Sequence, residues 1–259
     1  MRHFMVGTVL AIVGGFWGVG HAAADITDGY VLGISGNVIE LDQGRTVSLY
    51  GLQLVEISQN EEIAAAGQKY LEQLLSDSPL ILQTGLFDVQ QNGRNRYGDW
   101  HGKLLTAQGD WVQKSVIEKG YGWWRGAANY PPSLARDLLR AEAGARKKGA
   151  GIWKSFQILN TNAEKISVFR DDFVIAEGRV IEVFETSKTT YLNFGNDWRT
   201  DFTAAISSKN RPKFVAQGWK LSDLMNKLVT MRGKLRLYNG PYLELHFPEQ
   251  LDIKEMTSE

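Results

Sequence analysis

The spacing of apolar residues changes period several times along the chain, and each change predicts an element. A mostly apolar, uncharged run from Phe4 to Val19 comes first. Beyond it, Tyr30–Ile34, Val38–Leu41 and Thr46–Tyr50 are short and strand-like, and Val47 and Leu49 alternate with Thr46 and Ser48 as on a sheet with one buried face. Asp42-Gln43-Gly44 is a turn signal between the second and third, so the three predict a curled β-meander. The period then lengthens: Ala64, Tyr70, Leu71, Leu74 and Leu75 fall on one side of a helix, and Ser58 with Glu61 three positions later reads as its capping box. A strand at Leu80–Leu82, a Gly-Asn-Arg-rich hairpin over 92–98 and a strand at Lys103–Leu105 follow. Asp110 is placed to cap a helix carrying Val112, Val116 and Ile117, which Gly120 ends. The next helix, Ser133 to Lys148, closes on Arg146-Lys147-Lys148-Gly149, a basic last turn that complements the helix dipole.

Residues 155–165 hold Asn160, Thr161 and Asn162 without apolar period and predict a linker. Further strands are predicted at Ala176–Val183, Thr190–Phe194, Phe202–Ile206, Val229–Arg236 and Tyr242–Leu245, with a helix at Leu221–Leu228 capped near Ser222. Three strands, a helix and two strands is the order of an OB-type barrel. The predicted organisation is a leader over 1–24, a first unit over 25–154, the linker 155–165 and a second unit over 166–259, of α+β, mainly β class.

Composition narrows the functions open to such a chain. Its 259 residues, 43% hydrophobic with eight Trp and eleven Phe, can build a core without covalent staples. The absence of Cys removes disulfides, thiolate nucleophiles and Cys-ligated zinc together. Lys and Arg number 29 against 29 Asp and Glu, divided evenly between the units, which argues against binding nucleic acid mainly by neutralising phosphates. Arg2 and His3 before the Phe4–Val19 run, and Ala22-Ala23-Ala24 after it, predict a signal peptide cleaved after Ala24. That run carries four glycines and is shorter than the roughly 20 apolar residues that span a bilayer. The expected location is periplasmic or secreted, with no membrane span after cleavage. Only His101 and His246 then remain, a poor supply for a His-based metal cluster or a Ser-His-Asp relay.

A set of short motifs carries more. In order they are Ser35-Gly36-Asn37-Val38, Ser48-Leu49-Tyr50-Gly51-Leu52-Gln53-Leu54-Val55-Glu56, Asn95-Arg96-Tyr97-Gly98-Asp99 and Gly149-Ala150-Gly151-Ile152-Trp153. Their order and spacing resemble the thermonuclease, or staphylococcal nuclease-like, family. The resemblance covers a little over half of the chain beyond residue 24, and it implies an OB barrel decorated by three helices. It also implies a calcium-dependent phosphodiesterase site, which needs carboxylates for the cation, a general base for water and arginines for the phosphate. Here Asn37 and Gln53 stand at the family's metal-binding carboxylates, and Ser48 and Asp99 at its phosphate-clamping arginines. Glu56 alone matches, as candidate general base. The resemblance therefore implies a degenerate site without metal or other cofactor, in a binding or scaffolding module. The alternative is a divergent nuclease or phosphodiesterase that uses calcium, with Glu56 as base and Arg94 or Arg96 as clamp, while Tyr97 and Trp100 offer rings for stacking. The partner stays open between a nucleic acid and an envelope protein.

The second unit resembles, more loosely, the OB-like C-terminal module of some bacterial thermonuclease-like proteins. Asn196, Asp197 and Asp201 lack EF-hand spacing and read as a turn. Lys209-Asn210-Arg211-Pro212-Lys213 is a basic cluster in a connection. Arg232, Lys234 and Arg236 alternate on one predicted strand, where they form either a solvated outer face or an anion-binding stripe.

Overall fold

A computed structural model describes residues 25–254 apart from 28, 77–78, 85–86, 88–92, 96, 128–129, 164 and 198; the predicted signal peptide lies outside the described residues. The first unit begins with β1 (Asp25–Thr27) and the predicted meander, β2 (Val31–Ser35), β3 (Val38–Leu41) and β4 (Arg45–Ser48). Ile34 pairs with Ile39, which pairs with Val47, so the alternation read from the sequence buries one face. After β5 (Leu52–Leu54) comes α1 (Glu61–Leu75). Its cap is Asn60, whose Oδ1 accepts from the Ile63 N–H at 3.0 Å, and not Ser58, which lies in the turn before.

Next come β6 (Ile81–Gln83), β7 (Trp100–His101), β8 (Lys103–Leu105), α2 (Val112–Glu118) and β9 (Gly122–Trp124). Trp111 rather than Asp110 precedes α2, without a side-chain cap, and the Asp110 N–H is held by the Thr106 hydroxyl at 3.2 Å. The third helix, α3 (Pro132–Lys148), starts on proline one residue before the predicted Ser133, and it ends where predicted, with Gly149 in the left-handed region. Strands pair in the orders β2-β3-β4-β7, β1-β6-β8 and β5-β9. All three helices turn apolar faces inward: Leu71 and Leu75, then Val112, Val116 and Ile117, then Leu134 and Leu138 pack in one core with Ile39, Val47, Leu49, Leu104 and Trp124. Each such burial contributes about 1.5–3 kcal/mol before chain entropy is charged against it.

The predicted linker is partly structured. It carries β10 (Leu159–Asn160), which pairs in parallel with β11 (Phe173–Arg179), and Leu159 and Thr161 are buried. The single predicted strand Ala176–Val183 is two, β11 and β12 (Glu182–Glu185), broken where Val180 N–H turns to the Lys227 carbonyl and Ile181 N–H to the Asn193 carbonyl. The chain there leaves one neighbour strand for another. β13 (Thr189–Asn193), β14 (Thr203–Ser207), α4 (Arg211–Ala216), β15 (Leu228–Leu237), β16 (Pro241–Glu244) and β17 (Leu251–Ile253) complete the unit. Its sheet runs β10-β11-β15-β16-β14-β13-β12, with β17 also on β15.

The helix is displaced from its predicted place. Leu221–Leu224 forms only a 3-10 turn, while Arg211-Pro212 starts α4 inside the basic cluster. Proline fits a first helical turn, and the left-handed Asn226 stops the later one. Among the described residues no helix is long and apolar enough to cross a membrane.

Arg232 also departs from expectation. It is buried, not part of an outer stripe, and its guanidinium reaches α3 of the first unit. Both terminal nitrogens donate to Glu142, each at 2.9 Å, and one also donates to the Trp124 carbonyl at 2.9 Å. Glu142 further accepts from the Trp124 N–H at 3.0 Å. Lys234 instead pairs with Asp171 at 3.1 Å. Around this seam Val55, Trp123, Trp153 and Ile175 form a small core drawn from both units.

Candidate functional site

The antiparallel pairing of β5 with β9, Gln53 opposite Trp123, sets one corner of a cleft of 820 Å³. The turn after β5 brings Glu56 to its wall, the β2–β3 turn brings Asn37, and the residue after β9 brings Arg125. The start of α1 and Tyr121 close the other side.

Gln53 is the centre of this arrangement. Its Nε2 donates to Glu56 Oε1 at 2.9 Å and to the Leu54 carbonyl at 3.2 Å, while its Oε1 accepts from the Arg125 guanidinium at 3.2 Å. A neutral amide, able to donate and accept at once, thus links an anion to a cation. Asn37 has a different task. Its Nδ2 donates to the Leu52 carbonyl at 2.7 Å and its Oδ1 accepts from the Leu54 N–H at 3.3 Å, which fastens the β2–β3 turn to β5. The Glu56 side chain is exposed, and its backbone N–H is held by Gln59 Oε1 at 3.0 Å.

Of the residues singled out from the sequence, Asn37, Gln53 and Glu56 line this cleft, whereas Ser48, Asp99, Arg94 and Tyr97 do not. Ser48 lies on β4, opposite Val38 and His101. The Asp99 carboxylate pins its own hairpin, accepting from the Thr46 hydroxyl at 2.5 Å and from Asn95 Nδ2 at 2.9 Å. Asn95 Oδ1 in turn accepts from the Tyr97 and Asp99 N–H groups, so the hairpin is closed by its own polar side chains. The Arg94 guanidinium lies 4.1 Å from the centre of the Trp100 ring and donates to the Gly98 carbonyl. It covers a half-buried indole and does not reach the cleft. Tyr97 is exposed at the hairpin tip, and Arg96 lies outside the described residues.

Among the described residues the cation that lines the cleft is Arg125, which no motif marks. It follows two tryptophans on a strand, and only the long-range β5–β9 register places it near Gln53.

These donors do not fit a calcium ion held as the family resemblance implies. Two carboxylates, Glu56 and Glu61, line the cleft, Asn37 is engaged at both ends, and among the described residues no three His, Cys, Asp or Glu side chains gather into a metal-binding group. Carboxylate count sets the affinity of such sites, and two that gather with no third ligand of that kind are too few.

In the second unit the basic cluster is likewise engaged. Arg211 donates to the Thr186 carbonyl at 3.0 Å and pairs with Glu185 at 3.1 Å, and Lys213 donates to the His246 carbonyl at 3.3 Å. The turn expected around Asn196 is present: Asp201 Oδ2 accepts from the Asp197 N–H at 2.7 Å and Asp197 Oδ1 from the Arg199 N–H at 3.1 Å.

No curated protein compared with the chain matches it. Residues 46–155 match the family model described as staphylococcal nuclease homologue. That stretch runs from β4 past the end of α3, includes Gln53, Glu56, Asp99 and Arg125, and leaves out Asn37 and the second unit. With its three helices on short strands and its cleft beside β5, this part of the chain is a staphylococcal nuclease-like domain.

Proposed function

We propose that the protein is a binding or scaffolding module built on a nuclease-type domain whose metal and phosphate machinery has been replaced. The observation that carries this reading is the Gln53 amide, which occupies the Glu56 carboxylate and the Arg125 guanidinium at once. A general base must hold a water and a phosphate clamp must hold an oxyanion. Here each is turned on a neutral amide. The separation of Asp99 from the cleft supports the same reading, because the hairpin that would carry a second arginine carries a carboxylate engaged elsewhere.

The second unit is, in this proposal, an OB-like barrel. Its support is the parallel pairing of β14 with β16, the antiparallel pairing of β15 with both β11 and β16, and the direct succession of β12 on β11, which carries the path from one end of the sheet back toward the other. Export to the periplasm or medium is proposed from the Arg2–Ala24 pattern alone.

One feature favours a working but divergent phosphodiesterase. Arg125 and Glu56 share a cleft wide enough for a nucleotide, and a substrate could displace Gln53 from between them. A metal-supplemented nuclease assay on the purified chain, run beside Glu56→Ala, separates the readings. The module reading expects equal background rates from both proteins on single-stranded and duplex DNA. A rate that disappears in Glu56→Ala would establish the enzyme.

A further inference from the structure

We propose that the outward face of β12, β13, β14 and β16 in the second unit is a binding groove for an uncharged oligosaccharide. Strand pairing lays two rows of side chains across this face. Glu182, Asn193, Thr203 and Tyr242 stand opposite one another in the first row; Phe184, Tyr191 and Ala205 do so in the second. Small residues on β14 thus form the floor, with rings on both sides. The groove encloses 540 Å³, within the usual range for a small-molecule site.

The rings stand open to solvent where a core residue would be covered. Phe184 is 54% exposed and lies nearly parallel to Tyr191, with ring centres 6.5 Å apart. Tyr238 is 70% exposed on the β15–β16 turn and meets Tyr242 edge-on at 5.9 Å. That turn is fixed in place. Gly240 has φ +92°, and a Cβ there would come within 2.5 Å of the Thr200 carbonyl oxygen, so only glycine lets the turn seat against the β13–β14 connection. Across the groove, Arg211 holds the Thr186 carbonyl and so the β12–β13 turn. Large rings on braced turns lose little freedom when a ligand stacks on them.

The polar groups between the rings select the ligand. Asn193 Nδ2 donates to Glu182 Oε2 at 2.9 Å, and the Thr203 hydroxyl donates to Asn193 Oδ1 at 3.4 Å. This row offers carboxylate, amide and hydroxyl groups that exchange hydrogen bonds with sugar hydroxyls. The Tyr242 phenol is an O–H donor at neutral pH, and burial, with a smaller contribution from Glu244, pushes its pKa up to about 12. Among the described residues no Lys or Arg lines the groove; Arg236 stands beyond its rim, opposite Tyr242. A single-stranded nucleic acid takes similar stacking surfaces but needs a positive groove for its backbone, and here a carboxylate faces it. Stacking rings, hydroxyl-matching polar groups and an absent cation together fit a neutral saccharide chain.

The test is saturation-transfer NMR and calorimetry on the purified chain with chitohexaose, cellohexaose and maltohexaose, and with oligo(dT) as the charged competitor. At least one hexaose should bind at up to millimolar concentration, with little dependence on salt. Phe184→Ala and Tyr238→Ala should each weaken binding about tenfold, the loss of one stacked ring. Both side chains are largely exposed, so unfolding midpoints should hold and a lost signal will report binding. Glu56→Ala should leave it unchanged. Failure of all three hexaoses to bind the wild-type chain would overturn the proposal, as would salt-sensitive binding of oligo(dT) to the same rings or saccharide binding that survives both ring substitutions.

Discussion

The two clefts differ in what their polar groups already hold. In the first unit Gln53 binds both Glu56 and Arg125, Asn37 binds two backbone groups, and Asp99 is withdrawn into a hairpin. In the second unit a short polar row lies between rings that remain exposed. A ligand entering the first must break the contacts of the Gln53 amide with two charged groups, whereas a ligand entering the second adds contacts to surfaces that have few. Residue type at a family position therefore says less than whether its hydrogen-bonding capacity is still free.

The largest effect is expected where the units are joined, since both clefts keep their shape only on a fixed frame. Glu142 is fully buried against Arg232. Glu142→Ala leaves a guanidinium without its counter-charge and should destabilise the chain by about 3–5 kcal/mol. Glu142→Leu with Arg232→Met should recover most of that loss, because two apolar side chains leave no charge to desolvate. Urea unfolding of the single and double variants measures both. A double variant as unstable as the single one would mean that the seam depends on these hydrogen bonds and not on charge balance.

A smaller loss separates the clefts directly. Asn37→Ala strands the Leu52 carbonyl and the Leu54 N–H and should reduce stability by about 1–3 kcal/mol. Phe184→Ala, at an exposed ring, should change it by less than about 1 kcal/mol. Equal losses would erase the distinction between a cleft held together from within and an open surface.

Calcium gives the third test. Wild-type protein should show no rise in melting temperature with millimolar Ca²⁺. Gln53→Asp puts a further carboxylate beside Glu56, on the residue whose amide nitrogen now lies 2.9 Å from it. Calcium should then stabilise the variant by roughly 1 kcal/mol, about 2–4 °C in Tm. A calcium-dependent rise in the wild type that Glu56→Ala removes would refute the degenerate reading.

What could be read from the sequence was local or motif-borne. The β2–β4 meander, the core faces of α1, α2 and α3, and the Gly149 cap follow from alternation, helical period and one glycine, all contained within single elements. The nearness of Asn37, Gln53 and Glu56 followed from family spacing. Arg125 was invisible because its place depends on the β5–β9 register. The Arg232–Glu142 pair spans 90 residues, and alternation on β15 cannot tell a strand face that meets solvent from one that meets another unit. α4 was missed because Lys209–Lys213 reads as a charged connection. Within it, Pro212 sits in the first helical turn and Phe214 is the apolar residue that buries.

The smallest expected effect lies in the groove and appears only at alkaline pH. The Tyr242 phenol has an ordinary value near 10 and is raised to about 12, chiefly by burial and next by Glu244. Between those values the folded chain keeps a proton that the unfolded chain has released, so folding loses stability as pH rises. The contribution is complete below pH 10 and is lost progressively up to about 12. Because Tyr242 is only partly buried, solvent keeps the change small. Unfolding midpoints measured across that window should fall less steeply in Tyr242→Phe than in the wild type, and tyrosinate absorbance should lack one late-titrating group. Identical slopes would place the phenol in free solvent, and the groove would then have to be more open around Tyr242 than its pairing with Arg236 and Thr203 implies.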